Sequence, residues 1–362
     1  MKKKIAFVIP GLESGGAERV VSTLANELCN KYEIIIITLW DVEPFYHLNN
    51  AIKHIKCAEK PLISVNIFQA LWNNFLLLKK IKKIISNYEI ELTIGFTTTA
   101  NILATLASKS KKIPCIISER SNPNIYTLNK LWNYLRKKTY KRADFLVVQT
   151  KQNQSYFNKF TTNKKLIVLP NPLSKELTRN KKRNPNKDNI ILNVGRLDKN
   201  KSQDLLIRAF SNIKTDGWRL IFVGDGEEKS NYINLTKSLG IESMVSFVGN
   251  DTKVYNYYNS SKIFAFTSQS EGFPNVLTEA MYFQLPCIST NCPNGPSEII
   301  NDGINGYLIP INDQFLLEQK LTDLMHSENL CKKFGENAFL SVKKYQTENV
   351  VRKWDELILK LI

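Results

Sequence analysis

"SKIFAFTSQSEGFPNVLTEAM", residues 261–281, predicts a buried strand, a short loop and a helix, in that order. The first ten residues are rich in apolar and aromatic side chains, which is typical of a buried strand. After Pro274 the apolar residues recur with helical spacing, and a proline suits the first helical turn because its missing N–H is not needed there. Glu271 is therefore predicted to lie in the loop, and Glu279 about one turn into the helix.

The same alternation of strand and helix runs through the chain in two successive series. Nearly continuous apolar runs, separated by helical patterns, indicate buried parallel strands in each series. A polar, basic linker with prolines on both sides of Asn171 separates the two series. The pattern predicts an α/β fold with two doubly wound, Rossmann-like domains that face each other across a cleft. We place these domains at 1–172 and 173–344, and predict that an amphipathic helix at 345–362 packs back on the first.

The net charge of +17 on the 362 residues is distributed unevenly. Residues 1–172 contain 26 lysines and arginines against 11 acidic residues, whereas residues 173–362 contain 24 against 22. The excess in the first half favours a polyanion or an anionic bilayer as the partner of that domain. Two basic segments rich in aromatic residues, 71–87 and 129–145, fit an anionic membrane surface. Each alone would also fit an ordinary surface helix, and it is their occurrence together that favours the membrane.

Composition also bears on location. No apolar run in the sequence approaches the ~18 residues of a membrane span, and the N-terminal run is too short for a signal peptide. The six cysteines form no CxxC pair and are not accompanied by the three histidines, so a structural zinc site is not expected. We expect reduced cysteines, a cytoplasmic location and peripheral association with the inner face of the cell membrane.

Three loops that follow predicted strands carry groups suited to phosphate. Arg196 and Lys201 lie between a strand and a helix, where two cations could straddle a diphosphate. Gly15 and Gly16 precede the first helix and would let its backbone N–H groups approach an anion. Gly224, in "VGDG", is compatible with a tight turn near a nucleotide. Solvated cations and ordinary turns would produce the same patterns.

The helix predicted at 275–283 could bind a phosphate at its N-terminus. Glu279 could then accept hydrogen bonds from a ribose, and Glu271 would face the other end of a nucleotide-linked molecule. The two glutamates could equally be solvent-facing acids that complement the helix dipole.

In order and spacing these segments resemble the retaining glycosyltransferases of family 4, which have the GT-B fold. Glu271 and Glu279 match the E-x7-E motif of that family. The segments "VGRLDKNKSQDLLIRAF", "VGDGEE", "GPSEIINDGINGYLIP" and "SGGAERV" match its other patterns, and the resemblance covers nearly the whole chain. In general appearance the chain is similar to bacterial enzymes that assemble lipid-linked or surface glycans, including N-acetylgalactosaminyltransferases.

The resemblance implies a role for each matching residue. Arg196 and Lys201 would neutralise the donor diphosphate as it leaves, and Glu271 would be the acid near the donor sugar. Glu279 would bind the ribose. The other donor-binding residues, several of them acting through the backbone, would be Gly16, Gly224, Gly272, Phe273, Pro274, Asn275, Leu277 and Thr278.

One position departs from the family pattern. Many members carry a histidine where this chain has Arg120, so the role of that histidine is not transferred. Arg120 could instead bind a phosphate, such as that of the acceptor, or it could pair with Glu119. Gly15 is a second candidate for binding the acceptor or a phosphate.

The resemblance implies a retaining enzyme that moves a hexose or N-acetylhexosamine from a UDP-sugar to a lipid-linked or surface-glycan acceptor. The sequence has no Asp-x-Asp motif, so neither a metal nor another cofactor is expected, and protein cations would stabilise the leaving group. One alternative is a nucleotide-sugar epimerase of the same fold, which would need histidines that this chain hardly supplies. The other is a basic nucleic-acid-binding protein, but the sequence contains no nucleic-acid-binding motif, and we expect no such partner.

Overall fold

The chain forms two α/β units in the computed structural model. The first unit comprises Met1–Pro172 together with Thr347–Ile362, and the second comprises Leu173–Gln346. The structure describes residues 2–62, 64–123 and 129–362.

Unit 1 is built on a parallel sheet of seven strands in the order β3-β2-β1-β4-β5-β6-β7. Its strands are β1 (Lys4–Ile9), β2 (Glu33–Thr38), β3 (Lys53–Lys56), β4 (Leu92–Phe96), β5 (Cys115–Ser118), β6 (Phe145–Val148) and β7 (Leu166–Val168). Its helices before residue 172 are α1 (Gly16–Leu28), α2 (Ile67–Asn87), α3 (Thr98–Lys111), α4 (Lys130–Tyr140) and α5 (Lys151–Phe157).

Helices cover both faces of this sheet, which is why its central strands are apolar at nearly every position. Leu24 of α1 packs in one hydrophobic cluster with Phe7. Ile81 of α2 packs in the opposite cluster with Val8, the next residue along β1. Successive residues of one strand therefore serve two separate cores, as expected for a doubly wound sheet.

Unit 2 repeats this plan with a parallel sheet of six strands in the order β10-β9-β8-β11-β12-β13. Its strands are β8 (Ile190–Val194), β9 (Arg219–Val223), β10 (Val245–Gly249), β11 (Ile263–Phe266), β12 (Cys287–Thr290) and β13 (Tyr307–Ile309). Its helices are α6 (Lys175–Arg179), α7 (Gln203–Asn212), α8 (Lys229–Ser238), α9 (Tyr255–Ser260), α10 (Asn275–Tyr282), α11 (Pro296–Ile299), α12 (Gln314–Met325) and α13 (Glu328–Val342). The predicted fold class, with two doubly wound Rossmann-like units, is confirmed.

The last helix, α14 (Thr347–Ile358), packs within unit 1. Trp354 is fully buried, with its ring centroid 6.0 Å from that of Phe96. Asp355 accepts a hydrogen bond from the Tyr32 hydroxyl at 2.6 Å and pairs with the Lys31 ammonium at 2.7 Å. The final segment of the chain thus completes the core of the first unit.

Candidate active site

The residues predicted to be catalytic lie at the carboxyl ends of two neighbouring strands of unit 2. Arg196 and Lys201 are in the loop between β8 and α7, and Glu271 is in the loop between β11 and α10. Strands β8 and β11 pair directly, although they are not consecutive in the chain. They form the switch point of the sheet, where open α/β folds bind their ligands.

Lys201 and Glu271 meet at this point. The Lys201 ammonium lies 2.5 Å from Oε1 of Glu271, and the two side chains are 21% and 11% exposed. The same ammonium lies 5.7 Å from the centroid of the Phe266 ring. A short, charge-assisted bond in such sheltered surroundings holds both groups in one orientation.

Asp198 organises the loop that carries the two cations, and the sequence interpretation missed it. Its Oδ2 accepts a hydrogen bond from Nε of Arg196 at 2.6 Å, and its Oδ1 accepts one from the backbone N–H of Lys201 at 3.0 Å. Asp198 is buried, whereas the Arg196 side chain is 76% exposed. The available signal was an aspartate in a loop, where this residue often bonds backbone N–H groups a few positions on.

Several hydrogen bonds tie this loop to the one that carries Glu271. Asn200 donates to the carbonyl of Ser270 at 2.9 Å, and its Oδ1 accepts from the Ser270 hydroxyl at 2.8 Å. The backbone N–H of Gln269 donates to the carbonyl of Asn200 at 2.7 Å, and the Thr267 hydroxyl donates to that of Lys201 at 2.8 Å. The positions of Lys201 and Glu271 are therefore set together.

The "VGDG" turn after β9 packs against the backbone of the cation loop. A Cβ atom at Gly224, where φ is +142°, would lie 2.0 Å from the carbonyl oxygen of Gly195. A Cβ atom at Gly226 would lie 2.2 Å from that of Leu197. Glycine is required at both positions because the two backbones touch. The predicted donor-binding residue Gly224 thus lies directly beside the loop of Arg196.

The start of α10 lies where the sequence predicted it, with Pro274 just before the first helical residue, Asn275. The carbonyl of Pro274 accepts hydrogen bonds from the N–H groups of Leu277 at 3.1 Å and Thr278 at 3.3 Å. A phosphate bound by these two N–H groups would have to share them with the helix. The Phe273 ring packs edge-on against Tyr345 at 5.7 Å, and Gly272 precedes it in the loop.

Glu279 lies in the second turn of α10 and is only 1% exposed. Its Oε2 accepts a hydrogen bond from the Tyr258 hydroxyl at 3.0 Å. The sequence pattern could not show this burial, because a glutamate one turn into a helix can face either way.

Comparison with known proteins identifies the family of this chain. The model for "Glycosyltransferase Family 4" matches residues 14–177, and that for "Glycosyl transferases group 1" matches residues 174–340. A Campylobacter jejuni protein is 31% identical over 361 residues, with 99% of each chain covered. The chain belongs to the family 4 glycosyltransferases. This confirms the interpretation of the chain as a glycosyltransferase.

Two curated relatives match this glycosyltransferase over nearly the whole of both chains. The Campylobacter jejuni protein is named GalNAc-alpha-(1->4)-GalNAc-alpha-(1->3)-diNAcBac-PP-undecaprenol alpha-1,4-N-acetyl-D-galactosaminyltransferase. The amylovoran biosynthesis glycosyltransferase AmsD of Erwinia amylovora is 30% identical, with 98% of this chain and 99% of that protein covered. Among solved structures, Anabaena HepE in complex with UDP superposes with a TM-score of 0.83 at 18% identity, over 99% of this chain and 100% of that chain. This likeness confirms the GT-B fold.

In unit 1 of the glycosyltransferase, Gly15 and Gly16 lie at the start of α1, with Gly15 as the residue before the helix. The Glu18 side chain folds back over Gly15, so that a Cβ atom there would lie 2.1 Å from Oε2 of Glu18. Burial raises the pKa of the Glu18 carboxyl, and the nearby charge of Glu13 adds to this. An acid of the enzyme itself therefore lies where the sequence suggested a phosphate, and it was not singled out from the sequence.

Arg120 is buried in unit 1, two residues after the end of β5. Its guanidinium lies 5.4 Å from the ring centroid of Phe96 and 5.9 Å from that of Trp354, and its Nη1 donates to Asn171. Burial lowers the pKa of Arg120 to about 9, although the charge of Glu119 opposes this. The backbone N–H of Arg120 donates to Oε1 of Glu119 at 3.1 Å.

The two basic, aromatic segments of the enzyme differ in their packing. In α2 the first turns leave their aromatic side chains in solvent, with Phe68 82% and Trp72 61% exposed, whereas Ile81 and Ile85 in its last turns are buried. In α4, by contrast, Tyr140 is buried in the core. Tyr134 of α4 is nevertheless 57% exposed, so each of the two helices leaves at least one aromatic side chain in solvent.

Two further observations concern metals and membranes. Among the residues that the structure describes, no three His, Cys, Asp or Glu side chains are grouped so that they could hold a metal ion. Nor does any helix of that part of the chain have the length and apolar character needed to cross a bilayer.

Proposed function

We propose that this glycosyltransferase moves a hexose or N-acetylhexosamine from a UDP-sugar to a lipid-linked or surface-glycan acceptor, with retention of configuration and without a metal ion. The observation that carries the proposal is the contact between Lys201 and Glu271 beside Arg196, at the switch point of unit 2. Two cations lie there, which suit a diphosphate. Beside them lies one carboxylate, which suits the hydroxyl groups of a sugar.

The two cations of this site would stabilise the leaving group. Arg196 and Lys201 would bind the donor diphosphate and stabilise the charge that develops as the bond to the sugar breaks. A diphosphate would draw the Lys201 ammonium away from Glu271, since it offers a larger negative charge. The freed carboxylate could then accept hydrogen bonds from the donor sugar, so donor binding and the exposure of Glu271 would be coupled.

UDP is the nucleotide best supported. HepE, which has the same fold, was solved with UDP and also with UDP and glucose. We propose that Glu279 binds the ribose, and that the backbone around Gly272 and Thr278 serves the sugar and phosphate. Glu279 is buried beside Tyr258. Its carboxylate would therefore contact the ribose only if the bound donor lies directly against this part of the protein surface.

Retention would follow a front-face route. The acceptor hydroxyl oxygen forms a bond to the anomeric carbon as the bond from that carbon to the UDP phosphate oxygen breaks on the same face. The hydroxyl proton passes to that phosphate oxygen, which yields UDP and the new glycoside. With Arg196 and Lys201 neutralising the departing UDP, the step needs neither a covalent nucleophile nor a metal ion.

A lipid-linked acceptor is supported by the name of the Campylobacter jejuni relative, whose substrate ends in PP-undecaprenol. The exposed aromatic face of α2 supports the same proposal. Phe68 and Trp72 precede a run of lysines that begins at Lys79, a combination suited to an anionic bilayer. We propose that the enzyme binds the inner face of the cell membrane through this helix and takes its acceptor there.

The proposal is tested by incubating the enzyme with a panel of UDP-sugars and undecaprenyl-diphosphate glycans, and by measuring UDP release together with product. We expect one UDP-hexose or UDP-N-acetylhexosamine to be used, an α-linked product, and unchanged rates in EDTA. Loss of activity in EDTA would contradict metal independence, and inversion of the anomeric centre would contradict the front-face route.

A further inference from the structure

Asp198 contacts both of the basic residues that the proposed function assigns to the donor, Arg196 through its side chain and Lys201 through its backbone. One carboxylate oxygen accepts from Nε of Arg196, and the other accepts from the backbone N–H of Lys201. The carbonyl of Asp198 accepts a second bond from the N–H of Lys201 at 3.1 Å and one from the Tyr232 hydroxyl at 3.2 Å. Both the backbone and the side chain of this residue are therefore fixed.

Arg196 is the only one of these groups that reaches well into solvent, and its position depends on Asp198. An exposed arginine samples many rotamers, and ordering it on a ligand costs free energy. The bond from Nε to Asp198 fixes the plane of the guanidinium while leaving the Nη1 and Nη2 groups for a ligand. A planar fork held in this way suits the two adjacent phosphates of a nucleoside diphosphate.

We propose that Asp198 is a positioning residue of the donor site, which aims Arg196 at the diphosphate and holds the backbone of Lys201. This inference rests on the proposed function, since it assumes that Arg196 and Lys201 bind a UDP-sugar. The carboxylate of Asp198 is itself negative, so the effect of removing it distinguishes charge from positioning. If charge alone mattered, removing it would strengthen the binding of UDP; if positioning dominates, removing it weakens binding.

The test measures the affinity of the full chain for UDP by calorimetry in a double-mutant cycle. We expect Arg196→Ala to weaken UDP binding by about tenfold or more, as for the loss of a charged hydrogen bond. Asp198→Asn keeps the size of the side chain and an acceptor for the Lys201 N–H, and should weaken binding by a similar factor. The double variant should be no weaker than Arg196→Ala alone, because Asp198→Asn keeps the acceptor for the Lys201 N–H and loses only the positioning of Arg196.

Additive losses in the cycle would overturn the inference, as would tighter UDP binding by Asp198→Asn. Asp323→Asn is the matched control, since it neutralises a carboxylate of unit 2 that pairs with Lys320 on the surface. It should leave UDP affinity unchanged. If Lys201→Ala also bound UDP normally, the proposed donor site itself would be wrong, and the inference would fall with it.

A second variant keeps the test decisive if Asp198→Asn does not fold. Arg196→Lys retains the positive charge but has a single nitrogen, which cannot bond Asp198 and still offer a fork to the diphosphate. We expect Arg196→Lys to bind UDP nearly as weakly as Arg196→Ala. Affinity close to that of the wild type would show that charge, and not positioning by Asp198, determines binding.

Discussion

Lys201 and Glu271, 70 positions apart in the chain, form an ion pair with 2.5 Å between Nζ and Oε1. Both groups are largely sheltered, so removing one leaves the other as an uncompensated charge at low exposure. The two residues therefore act as a unit, and effects of their substitution on activity will not simply add. The pair also places the proposed cation and the proposed sugar-facing acid within one α/β unit.

Gly226 should be essential for donor binding, because its missing side chain lets the "VGDG" turn touch the cation loop. In Gly226→Ala, the new Cβ would clash with the carbonyl oxygen of Leu197. The clash would displace the preceding residue, Arg196. We expect UDP affinity to fall by at least about tenfold. Calorimetric titration with UDP measures this effect.

Gly240→Ala is the control for that substitution. Its φ of +68° makes an alanine strained, but nothing lies within 4 Å of the added Cβ. The cost should be about 1–2 kcal/mol of stability, with UDP affinity unchanged. Equal UDP affinities in the two variants would contradict the role assigned to the turn.

Lys187 should make stability depend on pH. Its ammonium donates to the carbonyls of Phe283 and Gln284 at the end of α10, each at 3.3 Å. Burial lowers the pKa of Lys187 to about 8, and the charge of Lys181 adds to this, whereas in the unfolded chain the pKa is near 10.5. Between these values the unfolded chain binds a proton that the folded chain does not, so stability rises with pH.

Lys187→Met should remove this penalty. At pH 7 we expect the variant to be more stable than the wild type by about 1–2 kcal/mol, since relief from desolvation exceeds the loss of two weak hydrogen bonds. The difference should shrink from pH 8 to pH 10, as measured by denaturant unfolding. Lys214→Met, at an exposed lysine of the same unit, should show no such trend. A constant difference across this range would contradict the assignment.

Trp354 should anchor α14 to the first unit. Trp354→Ala removes a fully buried ring beside Phe96 and should cost about 3–5 kcal/mol. In hydrogen exchange, the amides of β1 should lose protection while those of β8 keep it. Leu359→Ala, just beyond the same helix at an exposed position, should change stability by less than about 0.5 kcal/mol. Equal loss of protection in both sheets would show that the helix does not belong to unit 1 alone.

The exposed face of α2 should bind membranes. Flotation with vesicles of phosphatidylglycerol and phosphatidylcholine in equal parts should recover the wild type, and less of it as salt is raised. Replacing both Phe68 and Trp72 by serine should lower the partition by at least about tenfold, since each aromatic ring contributes through burial. Phe315→Ser, at a residue of unit 2 that is 70% exposed, should float like the wild type. Unchanged flotation of the double variant would exclude α2 as the contact.

Most of the fold could be predicted from the sequence because the central parallel strands are apolar at nearly every position. The edge strand β3, Lys53–Lys56, has no such apolar run. The strand–loop–helix order around Glu271 follows from the same reasoning, and Pro274 gives the start of α10. What spacing cannot show is which side chains meet. The contact of Lys201 with Glu271 depends on the pairing of β8 with β11, which joins strands that are distant in sequence.

Other features depended on burial, which a short motif does not determine. Asp198 has the pattern of an ordinary turn residue, and only the structure shows it bonded to both Arg196 and Lys201. Basic, aromatic α2 and α4 look alike in sequence. They differ in packing, because α4 buries Tyr140 and exposes Tyr134, whereas α2 exposes Trp72 and Phe75.

The central claim is that Lys201 and Glu271 carry sugar transfer, and the most direct measurement is the turnover of Lys201→Ala and Glu271→Ala with the preferred UDP-sugar. We expect each to lose at least about 100-fold in kcat/KM, equivalent to roughly 3 kcal/mol of transition-state stabilisation, while both remain folded. Lys199→Ala, which removes an exposed lysine from the same loop, should retain nearly full activity. Turnover close to that of the wild type in either Lys201→Ala or Glu271→Ala would contradict the claim.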